Sequence, residues 1–476
     1  MKIKIGYIAL FWILLMPFSG LAQEIEYTVK HDLGKRPIWS SSTIFDESTQ
    51  QMFLFLFDAS NTYLYILDEH GEMVNKYQFS ENDLREKEIQ SFALAGDDLT
   101  IISSYVNASY RTYINLKMGA IKTVKIKGER SELEHLSWCN FNGKCIELSV
   151  YKNKNAFLIR TVDAKGNTSE KEINLEDKIF LLQKDEKHID RVNKTIISQR
   201  RPSNLLCNSV PLKIYKKNSH FILTYDVRNE TRFLDIDLNT LDYHYKTYPN
   251  NWYTSNPKYK VVSNSFILDD CLFQIKSSDS KLIVDLKDLE KDSLKATYNI
   301  SYDEYSMLYD SDVNQFGGEH IATNKLVRLA KNPIVVKTIT NGEIGISAQR
   351  TNEGYQVQFG GVSNLSIVKS RKLVFGEGLI NFDNVVNALN LNTLNILSLG
   401  YSKNRVTQIS CLLNNNYKQK PGNTLNSIFD ELALYNAQNK RNEAASLTLR
   451  GNEVLYGYYL EYSSEYIIKK FKNTAF

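Results

Sequence analysis

The sequence predicts an all-β protein: a β-propeller of seven or eight blades with short helical insertions, closed by the N-terminal strand of the mature chain. Composition is the first indication. The 476 residues include 29 Tyr and 22 Phe but only 8 Pro and 22 Gly. Aromatic side chains suit a pleated, half-buried surface, and a chain poor in proline builds its turns from Asn, Asp and Gly. The second indication is a hairpin unit that recurs along the chain.

The first unit has predicted strands at 52–57, 63–67 and 74–79, joined by polar turns at 58–61 and 68–71. Strands of about five or six residues between Asp- and Gly-rich turns are typical of a β-meander. Four further units have the same three-strand order, at 99–126, 145–175, 220–248 and 271–300. Three less complete units begin near 344, 394 and 454, with second strands at 355–359, 405–413 and 465–471.

The spacing of these units indicates propeller blades. Their first strands begin near 52, 99, 145, 220, 271, 343, 394 and 453. Four-stranded blades repeat at about 40–50 residues, so the short intervals fit and the two long ones predict insertions. Turn-forming residues precede several first strands, at 96–98, 142–144, 269–270, 341–343 and 450–452. Because the units near 344 and 394 are incomplete, both seven and eight blades remain open.

The two ends of the chain predict how the ring closes. The last unit stops at 471 without a third strand, and 24–30 is a strand-like segment with no unit of its own. A propeller protects its sheet edges when one terminus completes the other terminus's blade. We therefore expect 24–30 to pair beside 465–471.

Residues 1–22 have the three parts of a cleavable signal peptide. Lys2 and Lys4 precede an uncharged apolar run, and Gly20-Leu21-Ala22 places small residues at a cleavage site after Ala22. A retained membrane anchor is the alternative, although Pro17 interrupts the apolar run. We expect cleavage, a propeller domain over 23–476, and a secreted, periplasmic or cell-surface protein.

With this export signal and hairpin rhythm, the chain resembles secreted β-propeller proteins of Gram-negative bacteria. The resemblance covers most of 24–476 and implies the fold and its repeat. The chain has neither the Trp-Asp blade ending of WD40 repeats nor a recurring Gly-Gly pair of the kelch kind. The resemblance therefore implies no particular activity. Two or three stacked β-sandwich domains are another architecture, but no Pro/Ser/Gly-rich linker divides the chain.

Two helical insertions are predicted. After Pro421-Gly422, the segment 424–437 places apolar residues on one face at helical spacing: Leu425, Ile428, Phe429, Leu432 and Tyr435. The segment 319–331 is a second candidate, which Pro333 would stop. Both are expected to be packing insertions rather than cofactor-binding elements.

The charge balance argues against a nucleic-acid partner. The net charge of +4, less the two charges of Lys2 and Lys4, leaves +2 on the mature chain, whereas nucleic-acid binding needs clustered basic residues. After the signal peptide, no window is long and apolar enough to predict a transmembrane segment. The partner expected from the sequence is a protein or glycan ligand.

Five cysteines leave at least one thiol unpaired in an oxidising compartment. Cys139 and Cys145 flank a predicted hairpin turn, so they form either a cross-strand disulfide or two buried small residues. No CxxC pair has partner spacing, which argues against structural zinc.

Two segments are candidate binding sites. Tyr248, Asn251, Trp252 and Tyr253 combine aromatic rings with an amide, a combination that suits sugars because rings stack on C–H faces while amides bond to hydroxyls. A turn whose aromatic residues cap the core is the alternative.

The second segment holds three tyrosines and a possible cation site. Tyr302, Tyr305 and Tyr309 alternate with acidic residues, and the spacing Asp310-x-Asp312-x-Asn314 is similar to the opening of a calcium loop. Gln315 stands where such a loop needs its Gly, and Ile321 where it needs a bidentate Glu. A solvated acidic loop is therefore the alternative. No cofactor other than this weak Ca²⁺ site is indicated.

No catalytic motif is present: the chain lacks HExxH, GxSxG, Walker and GxGxxG patterns in the required context. The sequence therefore favours a binding or scaffold module that uses one loop-rich face. A glycosidase or lyase whose carboxylates meet at the channel mouth is the alternative.

Overall fold

The computed structural model describes residues 24–32, 36–46, 49–79, 88–105, 108–126, 132–175, 180–181, 194–198, 205–217, 219–227, 230–250, 262–278, 281–301, 312–317, 327–328, 333–364, 404–422, 424, 432, 435, 443–450 and 453–472. These residues form seven sheets, which are the blades of a propeller. The signal peptide predicted at 1–22 lies outside them.

The first three blades are four-stranded antiparallel meanders in chain order. Blade 1 contains β2 (Ser40–Asp46), β3 (Gln51–Phe57), β4 (Thr62–Leu67) and β5 (Met73–Phe79); blade 2 contains β6 (Glu88–Ala95), β7 (Asp98–Tyr105), β8 (Ala108–Asn115) and β9 (Ala120–Lys125); blade 3 contains β10 (Leu133–Phe141), β11 (Lys144–Tyr151), β12 (Ala156–Val162) and β13 (Thr168–Asn174).

Blades 4 and 5 follow the same order, with one added strand. Blade 4 contains β14 (Lys194–Ser198), β15 (Leu212–Lys217), β16 (His220–Val227), β17 (Glu230–Asp237) and β18 (Tyr243–Pro249), and blade 5 contains β19 (Val262–Leu268), β20 (Cys271–Ser278), β21 (Lys281–Asp288) and β22 (Leu294–Ser301). β14 pairs parallel with β15 on the side away from β16. The added strand therefore lies on the channel side of blade 4.

Blade 6 resolves the number of blades. It contains β23 (Asp312–Gly317), β24 (Val327–Arg328), β25 (Glu343–Thr351), β26 (Gly354–Asn364), β27 (Asn404–Asn414) and β28 (Gln419–Lys420). The strands at 343 and 404 belong to the same sheet, because β26 pairs with both β25 and β27. The units predicted near 344 and 394 are one blade, so the propeller has seven blades rather than eight.

Blade 7 confirms the predicted closure. Its order is β1 (Glu24–Lys30), β31 (Glu465–Lys472), β30 (Glu453–Leu460) and β29 (Glu443–Arg450). β1 pairs antiparallel with β31, from Glu24 opposite Lys470 to Lys30 opposite Glu465. The N-terminal strand is thus the outermost strand of the last blade.

Ion pairs reinforce this closure. Arg450 donates from Nη2 to Glu26 Oε1 and to Glu453 Oε2, at 2.6 Å each, and also hydrogen-bonds the Tyr27 hydroxyl. Lys470 Nζ lies 2.5 Å from Glu26 Oε2. Burial alone would raise the pKa of Glu26, but the hydrogen bonds from Lys470 and Arg450 hold it below its ordinary value. Both chain ends are therefore tied together by charge as well as by the strand ladder.

The sequence analysis missed the inner strands of blades 1–5 and 7, because it took β3, β7, β11, β16, β20 and β30 as first strands. In blade 6 the first strand predicted near 344 is β25, which is the inner strand. Neighbouring innermost strands contact one another, for example β2 with β29, β6 with β10 and β19 with β25. The fourth strands β5, β9 and β13 are largely exposed. The first strands therefore line the axis and the fourth strands form the rim.

Each of the seven strands β2, β6, β10, β15, β19, β25 and β29 carries a buried polar residue at the same place. It is the fifth residue counted back from the end of the strand: Ser42, Ser91, Ser137, Lys213, Asn264, Ser347 and Ser446. Some members link neighbouring blades directly, since Ser91 donates to the carbonyl of Cys139 at 3.0 Å, and Ser446 lies 2.9 Å from Thr43 Oγ1. Only blades 4 and 5 replace serine at this position.

A second recurring feature is the turn after the third strand. In blades 1–6 it begins with an Asp or Asn whose side chain accepts backbone N–H groups of the turn: Asp68, Asn115, Asp163, Asp237, Asp288 and Asn414. Asp and Asn favour such turns because their side chains mimic a backbone carbonyl two or more residues away. This face of the ring is consequently built from short, tightly bonded turns.

The strand ends that border the longest connections lie on the opposite face. Because successive strands are antiparallel, second-to-third turns and the segments between blades lie on the same side of the ring. The strands that flank 251–261 and 365–403 begin and end on this side. We call it the loop-rich face.

Two helices lie against the blades. α1 (Leu205–Asn208) packs on β25 and β26, where Cβ atoms at Gly345 and Gly360 would lie 3.1 and 2.9 Å from the Leu205 side chain. α2 (Pro333–Thr340) contacts blades 5 and 6. The two glycines thus permit the close approach of α1.

The helix predicted at 319–331 is wrong at 327–328, which form β24. Pro333 begins α2 instead of ending a helix, since proline suits the first helical turn, where its missing N–H has no partner to lose. In the predicted helix 424–437, Leu432 and Tyr435 are helical and buried against blade 7. Most of that segment lies outside the described residues.

Hydrophobic clusters fill the spaces between neighbouring blades. Phe53 and Phe55 of β3, for example, are buried in one cluster with Leu99 and Ile101 of β7. Strands such as β3 and β4 are buried on both faces and read as continuous apolar runs. The core is therefore a ring of interblade contacts.

His31 follows the closing strand and is buried, 3% exposed. Its Nδ1 lies 2.7 Å from the Tyr65 hydroxyl, and the rings of Tyr63 and Tyr459 are 4.7 and 6.0 Å away between centroids. Nε2 has no hydrogen-bond partner. Burial lowers the pKa of His31, although the charges of Asp32 and Asp58 oppose the shift. The folded protein thus holds this imidazole neutral.

We expect Arg450→Met to lower the free energy of unfolding by about 2 kcal/mol, because it removes one of the two cations that the half-buried carboxylates of Glu26 and Glu453 share and leaves them to Lys470. Urea denaturation measures the loss. Arg350→Met is the matched control: Arg350 and its partner Asp269 are 44% and 53% exposed, so a change within about 0.5 kcal/mol is expected. Equal losses in the two variants would contradict the role of the closure network.

His31→Gln should make the protein less sensitive to acid. Because the pKa of His31 is lower in the folded than in the unfolded state, this residue reduces stability as the pH falls below about 6.5. The Tm of the variant minus the Tm of the wild type should therefore increase as the pH is lowered from about 7 to about 5. His70→Gln, at a 76% exposed side chain, is the control, and a parallel response of both variants would refute the assignment.

Candidate binding site between blades 4 and 5

A polar row crosses the face of blade 5 that meets blade 4. Ser265, Gln274, Asp285 and Thr297 are register partners on the four strands, and so they point to the same side of the sheet. Gln274 donates from Nε2 to Thr231 Oγ1 at 3.0 Å and to the carbonyl of Tyr248 at 3.4 Å, both in blade 4. The row is therefore enclosed between the two blades.

Two buried lysines border the row. Lys276 Nζ lies 2.6 Å from Asp285 Oδ2, and Lys287 Nζ donates to the carbonyl of Pro249 at 2.9 Å. Lys276 is 3% and Lys287 9% exposed. Burial lowers the pKa of Lys287, and the nearby charge of Lys276 adds to the effect. An excess of positive charge thus lies between the blades.

Several polar atoms in this region are buried without a hydrogen bond. Both side-chain atoms of Asn250, Nδ2 and Oδ1, are unpaired although the residue is only 8% exposed. Gln274 Oε1 and Ser265 Oγ are also unpaired. An unsatisfied buried polar group costs about 1–3 kcal/mol. Asn250 follows β18 directly and Gln274 contacts the carbonyl of Tyr248 in that strand, so their unpaired atoms indicate a place where another molecule completes the hydrogen bonds.

Beside this site lies a fully satisfied ion pair. Lys213 and Asp226 have no exposed side-chain area, and Lys213 Nζ lies 3.2 Å from Asp226 Oδ2. Asp226 also accepts from Thr231 Oγ1 at 2.7 Å and from the backbone N–H of Ser265 at 2.8 Å. Lys213 occupies the position at which five other blades have serine. It joins blades 4 and 5 and supports the site structurally.

The predicted aromatic site is placed only in part. The Tyr248 side chain is 1% exposed, lies edge-on to Phe233, and donates its hydroxyl to the carbonyl of Leu289 at 2.7 Å. It anchors the strand that delivers Asn250. Asn251, Trp252 and Tyr253 lie outside the described residues, so their role in sugar binding stays a prediction.

The predicted calcium segment is likewise placed in part. Tyr302, Tyr305, Tyr309 and Asp310 lie outside the described residues. Asp312 and Asn314 belong to β23, which pairs with β27. No group of three or more potential metal ligands occurs among the residues that the structure describes. The Ca²⁺ site stays a prediction, although an extended strand differs from the compact loop that wraps a calcium ion.

Cys139 and Cys145 are free, buried thiols. The register pairs Cys139 with Ile146 and Cys145 with Asn140. The two side chains therefore point to opposite faces of the sheet and cannot form the cross-strand disulfide. Cys139 and Cys145 are instead two buried small residues, the other arrangement that the sequence allowed.

Sequence reasoning missed Asn250, Gln274, Lys276 and Lys287. A signal was available in β20 and β21, where strands with two buried faces alternate apolar residues with Gln274, Lys276, Asp285 and Lys287. A strand that is buried on both faces is usually apolar throughout. Polar residues at every second position therefore indicate that one of its two faces meets a polar interface. Recognising which neighbour they face requires the register.

Among the described residues, no helix has the length and apolar character needed to cross a membrane. No protein-family model and no curated protein sequence matches the chain.

Solved structures do match it at low similarity. The WD40 domain of SCAP from fission yeast is 9% identical with a TM-score of 0.31, over 94% of this chain and 89% of that one. A protein of unknown function from Bacteroides caccae is 12% identical with a TM-score of 0.23, over 62% and 78%. An ACO/RPE65 chimera is 9% identical with a TM-score of 0.28, over 56% of this chain, which spans 62% of the chimera. At these values the matches carry no information on function.

Asp226→Asn should lower the free energy of unfolding by about 3 kcal/mol, because it leaves the fully buried Lys213 ammonium without its counter-charge. The double variant Lys213→Met/Asp226→Asn should recover part of this loss, since no uncompensated charge then remains. Chemical denaturation of wild type, both single variants and the double variant measures the coupling. Strictly additive losses would show that the two residues do not act as a pair.

Proposed function

We propose that the protein is an exported binding module that holds a glycan ligand between blades 4 and 5, where β18 ends. The observation that carries the proposal is Asn250, a buried amide that ends β18 with neither side-chain atom hydrogen-bonded. It supports binding because an amide offers one acceptor and two donors, the set that a sugar hydroxyl can satisfy.

Three further features support a ligand at this place. Gln274 Oε1 is unpaired, and Gln274 contacts the carbonyl of Tyr248 in the same strand. Lys287 contributes a buried cation. In the sequence, Trp252 and Tyr253 come two and three residues after Asn250, and aromatic rings of this kind suit stacking on a sugar.

The state of the carboxylates favours binding over glycoside hydrolysis. Asp285 is ion-paired with Lys276, and Asp226 with Lys213. A glycosidase instead needs two carboxyl groups that are free to act on either side of a glycosidic bond. Within the described part of this interface, both buried carboxylates are already engaged with lysines.

The proposed compartment follows from the signal peptide expected at 1–22. Export places the mature propeller in the periplasm, at the cell surface or in the medium, where polysaccharides and glycoproteins are accessible. Comparing the N-terminus of the secreted protein with Gln23 would test the cleavage site.

The test is a glycan array probed with the mature protein and two variants. Asn250→Leu should lose binding by at least about tenfold, since the hydrogen bonds to the ligand disappear. In the absence of ligand it should keep or raise the Tm, because replacing an unsatisfied buried amide with an apolar side chain removes a desolvation cost.

Asn75→Leu, the same change on the exposed strand β5, is the matched control and should leave binding unchanged. A glycan bound equally by wild type and Asn250→Leu would refute the site. Binding to no glycan on the array, with a protein ligand recovered instead, would refute the proposed ligand class.

A further inference from the structure

The charges between blades 4 and 5 are unbalanced. Five lysine and aspartate side chains on the facing surfaces belong to residues that are at least nine-tenths buried: Lys213, Asp226, Lys276, Asp285 and Lys287. Two lysines have an aspartate partner each, at 3.2 and 2.6 Å. Lys287 is the third cation, and its described hydrogen-bond partner is a neutral carbonyl, that of Pro249. The site therefore has one positive charge in excess.

This excess is unfavourable in the protein alone. A buried charge without a counter-charge costs free energy because little of its hydration is replaced. An ammonium group carries three N–H donors, and the Pro249 carbonyl uses one of them. Asp292 faces the same lysine from the turn after β21, but it is exposed, so that solvent screens its charge. A bound anion would supply the missing counter-charge.

The unpaired atoms restrict that anion further. Asn250 Nδ2 and the remaining Lys287 protons require acceptors, whereas Asn250 Oδ1 and Gln274 Oε1 require donors. A simple inorganic anion such as sulfate supplies acceptors only. A sugar acid supplies both, because its carboxylate accepts from the ammonium while neighbouring hydroxyls donate to the amide oxygens.

We propose that the ligand is an acidic saccharide, whose uronate carboxylate binds Lys287 and whose adjacent hydroxyls bind Asn250. The inference rests on the proposed glycan-binding function and specifies its substrate class. A singly charged carboxylate matches the single excess charge. Lys276 lies next to Lys287 but is committed to Asp285, which makes Lys287 the residue that distinguishes acidic from neutral sugars.

The experiment is isothermal titration of the mature protein with oligosaccharides of galacturonate, glucuronate and mannuronate, each paired with its methyl ester. Esterification removes the charge and keeps the sugar, so that the pair isolates the carboxylate. We expect at least one free acid to bind about 30-fold or more tightly than its ester, the loss typical when a buried charge contact is removed. Sodium sulfate should neither bind measurably nor compete.

Lys287→Met should reduce this preference to about twofold or less while the protein remains folded, because methionine fills the same volume without a buried charge. Lys122→Met, at an exposed position of β9, is the matched control and should keep the full preference. Near-ultraviolet circular dichroism and Tm confirm folding of both variants.

The outcomes separate the two proposals. Esters that bind as tightly as the free acids, an acid preference that survives in Lys287→Met, or sulfate that competes with the sugar would each overturn the acidic-saccharide assignment and leave glycan binding intact. The assignment is also overturned if the array yields only neutral glycans. Failure of every glycan on the array and every uronate would overturn the proposed function itself.

Discussion

Closure of the ring by the N-terminal strand is the constraint on which the rest of the structure depends. Without β1, blade 7 would end at β31 with an unpaired edge, and blades 7 and 1 would lose the contacts of Tyr27 with the turn after β4. Each blade buries its faces only against its neighbours, so a gap at one seam exposes two apolar faces. The salt bridges of Glu26 with Arg450 and Lys470 hold this seam. They join residues that are more than four hundred positions apart in the sequence, and local structure cannot replace them.

A closed ring places equivalent residues in equivalent surroundings, and this makes the exceptions informative. Five blades have serine at the shared position of the inner strand, a small residue that fits between neighbouring blades, and Ser91 and Ser446 hydrogen-bond across the gap. Blade 4 has Lys213 and blade 5 has Asn264 instead, and both donate to the carbonyl of Val210, at 2.8 and 3.2 Å. The excess charge and the unpaired atoms of Asn250 and Gln274 lie in the same two blades. The departure from the repeat and the candidate site therefore coincide, as expected when a regular scaffold carries a local function.

The sequence predicted those parts of the fold that follow from local pattern. Strands β3, β4 and β5 have strong apolar or turn signals, and the unpaired strand at 24–30 indicated the closure. The inner strand of blade 6 was predicted, whereas those of the other six blades were missed because buried polar residues, and the bulges in β6, β10 and β29, break the period-two pattern. The number of blades was ambiguous because the strands at 343 and 404 look like separate units until the pairing of β26 joins them. The site was invisible for a related reason: Asn250, Gln274 and Lys287 are brought together by register and by the contact between two blades, which sequence spacing does not specify.

The three buried lysines at this interface show how the same residue type serves structure in one place and recognition in another. Lys213 and Lys276 have carboxylate partners, so their charges are compensated within the protein and removing a partner would be costly. The described hydrogen-bond partner of Lys287 is the neutral carbonyl of Pro249, so its charge is compensated only in part. A scaffold selected for stability alone would replace such a lysine, and the unpaired amide of Asn250, with apolar side chains of similar size. Their presence at one strand end is accounted for if binding of an anionic sugar offsets the loss of stability that they impose on the free protein.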